Sequence, residues 1–250
     1  MRVSKELLAQ AGLGTARYYG SVLDASRGRF WLLLEYVDGM PVRYCDLKYW
    51  IAAAGWLGRM HGHFARQSSR LCATCFLVRH DIAFFLSKAD LALAAVSHIS
   101  PALARRLSAL LDGYDRLAEV MARGPHTLVH GAYRAKEILV SAGSDPPRIC
   151  PVDWELAAFG APLYDLAQLT GGFKPAMLDR FWSAYREQAN ACDLALPDRQ
   201  DMSCVLNCFR LHHVMNWLSQ SRDREFPETQ VARLVDLGEK LRSLILEDRP

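Results

Sequence analysis

The chain has no Gly-x-Gly-x-x-Gly phosphate loop, no run of like charge, and no uncharged apolar stretch near the roughly 18 residues of a membrane span. Each absence excludes something. Without the glycine signature, no dinucleotide or nucleoside-triphosphate cradle is signalled. Lysine is scarce: 6 Lys stand against 24 Arg, and the basic residues are scattered, so no patch for nucleic acid or a membrane surface is indicated. The opening MRVSKELLAQAG has no long apolar stretch before a small-residue cleavage site, hence no secretory signal. The cysteines number seven, several of them inside apolar periodic segments. That pattern reads as reduced, buried thiols rather than a disulfide framework, and implies a cytoplasmic protein.

What is present is a globular composition: 250 residues, 51% hydrophobic, 23% charged, net charge +3. This suffices for one or two domains with a real core. SKELLAQ, residues 4–10, reads as a helix with Ser4 as N-cap and Gly12 and Gly14 after its end. ARYYGSVLD and GRFWLLLEYVDG read as two strands around the turn DASRG, with residues 35–39 as the exit from the second. Helical spacing starts at Leu47, and a polar stretch, RQSSR, follows. It resumes from Asp81 to Arg123, broken at Ser100-Pro101, where proline suits a first helical turn. TLVHG and EILVSAG are short strands around an irregular loop, SAGSDPPR is a turn, and ICPVDWE is a further strand. Helices fill the chain from Tyr164 to Leu246.

The segment 127–173 carries the densest pattern. It reads TLVHGAYRAKEILV, a spacer, then RICPVDWELAAFGAPLYDLAQLTGGF. This resembles the aminoglycoside phosphotransferase and choline kinase family, whose loop runs His-Gly-Asp, four residues, then Asn-Ile-Leu. In that family a strand with Asp-Trp/Phe-Glu follows, and then a Tyr-Asp-Leu-Ala helix. His130, Gly131, Ile138, Leu139, Val152, Asp153, Trp154, Glu155, Gly160, Pro162 and residues 164–167 match. Two positions depart: Ala132 stands where the family has its catalytic Asp, and Glu137 where it has a metal-binding Asn.

The resemblance implies an α+β, protein-kinase-like fold with a partial N-lobe (1–40) and a mostly helical C-lobe with a small β-insert (41–250). It implies ATP and Mg²⁺ as cofactors if the chain is active. It places the nucleotide-contacting hinge at Glu35, Tyr36 and Val37. The family's phosphate-covering loop and strand lysine lie upstream of its first long helix. Three residues before Ser4 span only about 10 Å, so a truncated N-lobe is expected, its missing half supplied by a partner chain or encoded upstream of the first residue.

Asp153 matches the main metal ligand, the alternative being a strand-end Asp that caps a turn. Glu155, two residues on, would share a strand face with it as a second ligand, or lie solvated at the cleft edge. Glu137 would add a third carboxylate, able to hold a divalent ion or to repel phosphate when none is bound. Arg134 and Lys136 are natural phosphate contacts or solvated loop charges. The methyl of Ala132 cannot accept a proton. His130 reads as structural rather than as a base, and Asp165 as an anchor of helix and loop. The weaker patterns Cys72-x-x-Cys75 and Cys204, Cys208, His212 read as core thiols rather than zinc ligands. The six tryptophans read as core, and His61 and His63 as helix-end residues.

Together these readings make a degenerate pseudokinase with a binding, scaffolding or partner-completing role. The alternative is an active ATP/Mg-dependent O-phosphotransferase acting on a hydroxyl of a small molecule, such as an antibiotic or a sugar-like alcohol, or on Ser/Thr of a peptide during natural-product modification. Its ligand would be a small molecule or peptide, with no nucleic acid and no membrane.

Overall fold

The computed structural model describes residues 2–143 and 145–247. The chain opens with a π-helical turn, Val3–Leu8, closed by the Ala9 N–H on the Ser4 carbonyl at 3.0 Å. Ser4 is therefore not a cap: it is buried inside the turn, and Arg2 precedes it in helical conformation. Burial of Val3, Leu7 and Leu8 sets the start of this helix, overriding the capping preference.

Strands β1 (Tyr18–Asp24) and β2 (Arg29–Leu34) form an antiparallel hairpin with Val22 opposite Trp31 and Asp24 opposite Arg29. Its turn is set by the Asp24 carboxylate, which accepts the Arg27 N–H, and by Gly28 in the left-handed region. There follow β3 (Met40–Pro41), α1 (Leu47–Ala65), α2 (Ser68–Cys72), β4 (Val78–Arg79), α3 (Ile82–Ile99), α4 (Pro101–Leu110) and α5 (Tyr114–Ala122). Next come β5 (Thr127–Val129), β6 (Ile138–Ser141), β7 (Arg148–Pro151), β8 (Ala158–Gly160) and α6 (Leu163–Leu169). The chain ends with α7 (Pro175–Asn190), α8 (Arg199–Ser219) and α9 (Glu228–Glu247). The expected turn at 141–148 includes residue 144, which lies outside the described residues. Three strands of two or three residues, β3, β4 and β8, escape sequence reading because they are too short to show alternation.

Contacts divide the chain into two units: Met1–Val78 with His126–Leu194, and Arg79–Pro125 with Ala195–Pro250. In the first unit α1 packs along α7. Their approach requires Gly58, where a Cβ would overlap the Tyr185 carbonyl oxygen. β6 pairs antiparallel with both β3 and β7, and β5 pairs with β8. These short pairings hold the loops described below.

The second unit is helical. α3 and α8 pack through Phe85, Phe209 and the buried His212, whose Nδ1 meets the Tyr114 hydroxyl at 3.1 Å. α4 and α9 are joined by Arg106, which donates to Asp236 at 2.7 Å and Glu239 at 2.6 Å. Helix α3 is long and apolar enough to cross a membrane by length and composition, with a mean hydropathy of 1.5. It carries Lys88 and Asp90, and packs against α8 within this unit.

Candidate functional site

The loop between β5 and β6 is suspended from one buried carboxylate. Asp165, on α6, has no exposed surface and accepts the backbone N–H of His130 at 2.6 Å and of Gly131 at 3.0 Å. His61 Nε2 lies 3.2 Å from the same carboxylate, and His61 Nδ1 faces the Tyr185 hydroxyl at 2.9 Å. Burial pushes the Asp165 carboxyl up, but the His61 hydrogen bond, the fields of His61 and His130 and the His130 N–H outweigh it. The net shift is below the usual carboxylate range. Asp165 is thus the loop anchor its motif suggests.

His61 is not a helix-end residue. It points inward from α1 among Ala54, Leu57, Met60 and Phe64. Its place in that apolar stripe, at i+4 from Leu57, was the available sequence signal.

His130 is fully buried and both ring nitrogens are engaged. Nε2–H donates to the Val152 carbonyl at 2.9 Å, and Nδ1 accepts the Ala132 N–H at 3.3 Å. The carbonyl can only accept and the amide can only donate, so the partners fix the neutral Nε2–H tautomer. Burial also lowers the pKa of the ring, against the fields of Asp165, Asp153 and Glu137. No ring nitrogen is left to take a proton from a substrate.

Gly131 has φ +79°, and a Cβ there would overlap the Leu156 carbonyl oxygen, so only glycine fits. Its own carbonyl accepts the Gln168 side-chain amide at 3.0 Å, a second contact from α6 that the sequence did not flag. Ala132 is buried, as is Tyr133, whose hydroxyl donates to the Ala53 carbonyl at 2.9 Å. The Tyr133 ring stacks on Trp56 at 6.1 Å, and Trp56 donates to the Leu13 carbonyl at 2.7 Å.

Beyond Tyr133 the loop turns twice. The Arg134 N–H donates to the Ala132 carbonyl at 2.7 Å, and the Glu137 N–H to the Arg134 carbonyl at 2.8 Å. These turns bring three charges together: Glu137 Oε1 lies 3.1 Å from Arg134 Nη2 and 3.0 Å from Lys136 Nζ. Side-chain exposure rises from 11% at Glu137 through 32% at Arg134 to 53% at Lys136.

β7 ends at Pro151, earlier than the expected strand. Asp153 sits beyond it with φ 64° and ψ 61°, a left-handed conformation that costs a non-glycine residue about 1 kcal/mol or more. Residues 154–156 form a 3₁₀ turn, so Asp153 and Glu155 do not share a strand face as expected. Both residues are exposed. Among the described residues no group of three His, Cys, Asp or Glu side chains converges on a metal position. Glu137 does not fit as a ligand, because a dication beside it would face the two cations already held there. Asp153 fits as a carboxylate with which Mg²⁺ can combine ligand phosphates and water.

The hinge positions separate. Glu35 is held bidentately by Arg148 at 2.7 and 2.8 Å and accepts the Arg17 N–H at 3.0 Å. Hydrogen bonds from Arg148 and then Arg17 lower its carboxyl to about 2. Arg148 also donates to the Gly14 and Thr15 carbonyls at 2.8 and 3.1 Å. Glu35 is therefore committed to tying the strand exit to β7. Tyr36 is 88% exposed and Val37 is buried.

The seven cysteines form no disulfide, with Cys150 and Cys208 buried and Cys75 exposed. Trp56 and Trp182 are core, whereas Trp31 is 56% exposed on the hairpin.

The fold recurs in solved structures. The GDP complex of a point mutant of aminoglycoside 2'-phosphotransferase-IIIa aligns over 97% of this chain and 81% of its own, with TM-score 0.66 and 15% identity. A choline kinase from Cryptosporidium parvum Iowa II aligns over 96% and 74%, with TM-score 0.61 and 16% identity. Plasmodium vivax ethanolamine kinase aligns over 99% and 73%, with TM-score 0.60 and 12% identity. At these identities the likeness is one of fold, and the fold is the kinase-like α+β one. No curated protein sequence matches the chain. The sequence model of the phosphotransferase enzyme family matches residues 6–203. With that match over most of its length, the chain belongs to the phosphotransferase enzyme family.

Proposed function

We propose that this protein is a binding or scaffolding member of its family, a pseudokinase that does not itself transfer phosphate. The carrying observation is at the base position. Ala132 offers a buried methyl, and the neighbouring His130 has both nitrogens engaged. Loss of a positioned base typically lowers a rate by about 10²–10⁴. Glu137, at the metal-binding Asn position, is turned to Arg134 and Lys136. The apolar hairpin supports a protein partner as part of the role: Leu23, Phe30, Trp31 and Leu33 are all more than half exposed. Both faces of β2 are apolar, as in strands covered on both sides.

One observation favours the alternative, an ATP/Mg-dependent O-phosphotransferase. Asp153 keeps a left-handed backbone at the end of β7, and such strain is characteristic of functional positions. A loose phosphoryl transition state also needs little early proton abstraction. The acceptor would be a hydroxyl of a small molecule or of Ser/Thr in a peptide.

ATP turnover with Mg²⁺, measured on the wild-type chain and on Asp153→Ala, separates the two. Under the pseudokinase reading neither chain turns over ATP above background. Turnover by the wild type that disappears in Asp153→Ala would overturn it. The double variant Ala132→Asp/Glu137→Asn restores the family's loop, and gain of turnover there would show that the remaining frame still supports chemistry.

A further inference from the structure

The two edges of the β1–β2 hairpin are unlike. Among the described residues β1 and β2 pair only with each other, so each strand has one open edge. β1 is interrupted: its register slips between Tyr18 and Gly20, a bulge of the kind that turns an edge away from further pairing. β2 runs from Arg29 to Leu34 with no such slip, and holds no proline, glycine or lysine. Every residue along it is exposed.

One hydrogen bond gives the direction of its backbone groups. The Glu35 N–H donates to the Arg17 carbonyl at 2.8 Å, on the β1 side. N–H groups alternate sides along a strand, so those of Arg29, Trp31 and Leu33 also face β1. The N–H and carbonyl groups of Phe30, Leu32 and Leu34 therefore face outward.

Three outward residues spaced by two make a self-complementary edge. A second copy of β2 can lie antiparallel on it with Leu32 opposite Leu32. Phe30 and Leu34 of each copy then meet Leu34 and Phe30 of the other as hydrogen-bonded pairs. On the opposite face Trp31 meets the second copy's Leu33. At the ends Arg29 faces the second copy's Glu35, whose carboxylate Arg148 already holds. The charges there are opposite in sign, and no like charges face each other across the two strands. Both faces are apolar, and a marginal two-stranded hairpin becomes a four-stranded sheet.

We propose that this protein forms a symmetric homodimer in which β2 of one copy pairs antiparallel with β2 of the other about a two-fold axis at Leu32. A second copy is then the protein partner of the binding role above, and this rests on that reading.

Sedimentation velocity on the full chain, without nucleotide, tests the pairing. A dimer is expected to build up between about 1 and about 100 µM. Leu32→Pro removes an N–H that β1 does not use, so the hairpin is kept while the dimer loses a ladder bond from each copy. A rise of at least about tenfold in the dimer dissociation constant is expected. Leu32→Lys and Leu32→Glu each set like charges against each other at the axis and are expected to be monomeric alone, whereas an equimolar mixture of the two restores the dimer. A monomer at every concentration overturns the proposal, as does a dimer that Leu32→Pro leaves unchanged, or open-ended association in place of a dimer. Charge variants that stay monomeric when mixed overturn the pairing about Leu32. If circular dichroism shows that Leu32→Pro is unfolded, the charge variants decide alone. ATP turnover by the wild-type chain would overturn the pseudokinase reading without touching the sedimentation result, and a monomer would leave that reading standing.

Discussion

Asp165 holds more of the loop than any other side chain. It gathers two backbone N–H groups and a histidine in a fully buried place. Asp165→Asn keeps the shape but loses the charge and reverses one hydrogen-bonding edge, so a destabilisation of about 3 kcal/mol is expected in urea unfolding. A loss under about 0.5 kcal/mol would remove its role as anchor. The pH dependence follows from the same bonds. The folded carboxyl lies below its ordinary value, so its contribution is present above the ordinary carboxylate range and is lost as pH falls through the folded value. Asp165→Asn should accordingly flatten the acid limb of the stability curve. Gly131→Ala combines a left-handed φ with overlap on the Leu156 carbonyl, and is expected to cost about 3 kcal/mol in the same assay.

At the scale of elements, the β1–β2 hairpin gathers exposed apolar side chains more densely than any other element. β2 runs Arg29–Leu34 with every residue exposed, although its sequence is that of a buried strand. A two-stranded hairpin is marginal on its own in water. Phe30→Ser/Leu33→Ser is therefore expected to leave the melting temperature within a few degrees, because exposed side chains contribute little. The same variant should lower binding of a hydrophobic dye and concentration-dependent association. A large fall in melting temperature would instead mean that these side chains are covered within the chain. The exit from the hairpin is secured separately by Arg148 and Glu35. That pair is partly exposed, so Glu35→Gln should cost no more than about 1 kcal/mol.

Across the whole molecule, the two contact units have different electrostatic weak points. In the helical unit His212 is fully buried, and its pKa lies well below the ordinary 6.5 through burial and then the charges of His213, His80 and Lys88. A group depressed in the folded state binds its proton first in the unfolded state, so stability falls as pH drops below about 6.5, by at most about 1.4 kcal/mol per pH unit. Urea midpoints should fall from pH 7 to pH 5 in the wild type and fall less in His212→Gln; equal slopes would exclude His212 as the source. Much of the architecture was legible in the residues. Long helices from Leu47 onward follow from periodicity, and the hairpin from its apolar runs around Asp24–Gly28. The loop and Asp153 frame follow from motif order, because period and spacing are local properties that a chain carries in one dimension. The sequence also determined that Ala132 can take no proton, since no fold gives a methyl a lone pair. Only the tertiary structure decided the rest. It turned both nitrogens of His130 to backbone groups and sent His61 to Asp165 across 104 positions. It ended β7 at Pro151, so that Asp153 and Glu155 lie beyond the strand on which they were expected to share a face. It also set Arg134 and Lys136 on Glu137. Those outcomes depend on which backbone donor, acceptor or charge arrives from another element, and a hydrogen bond has no sequence signature until its partner is in place.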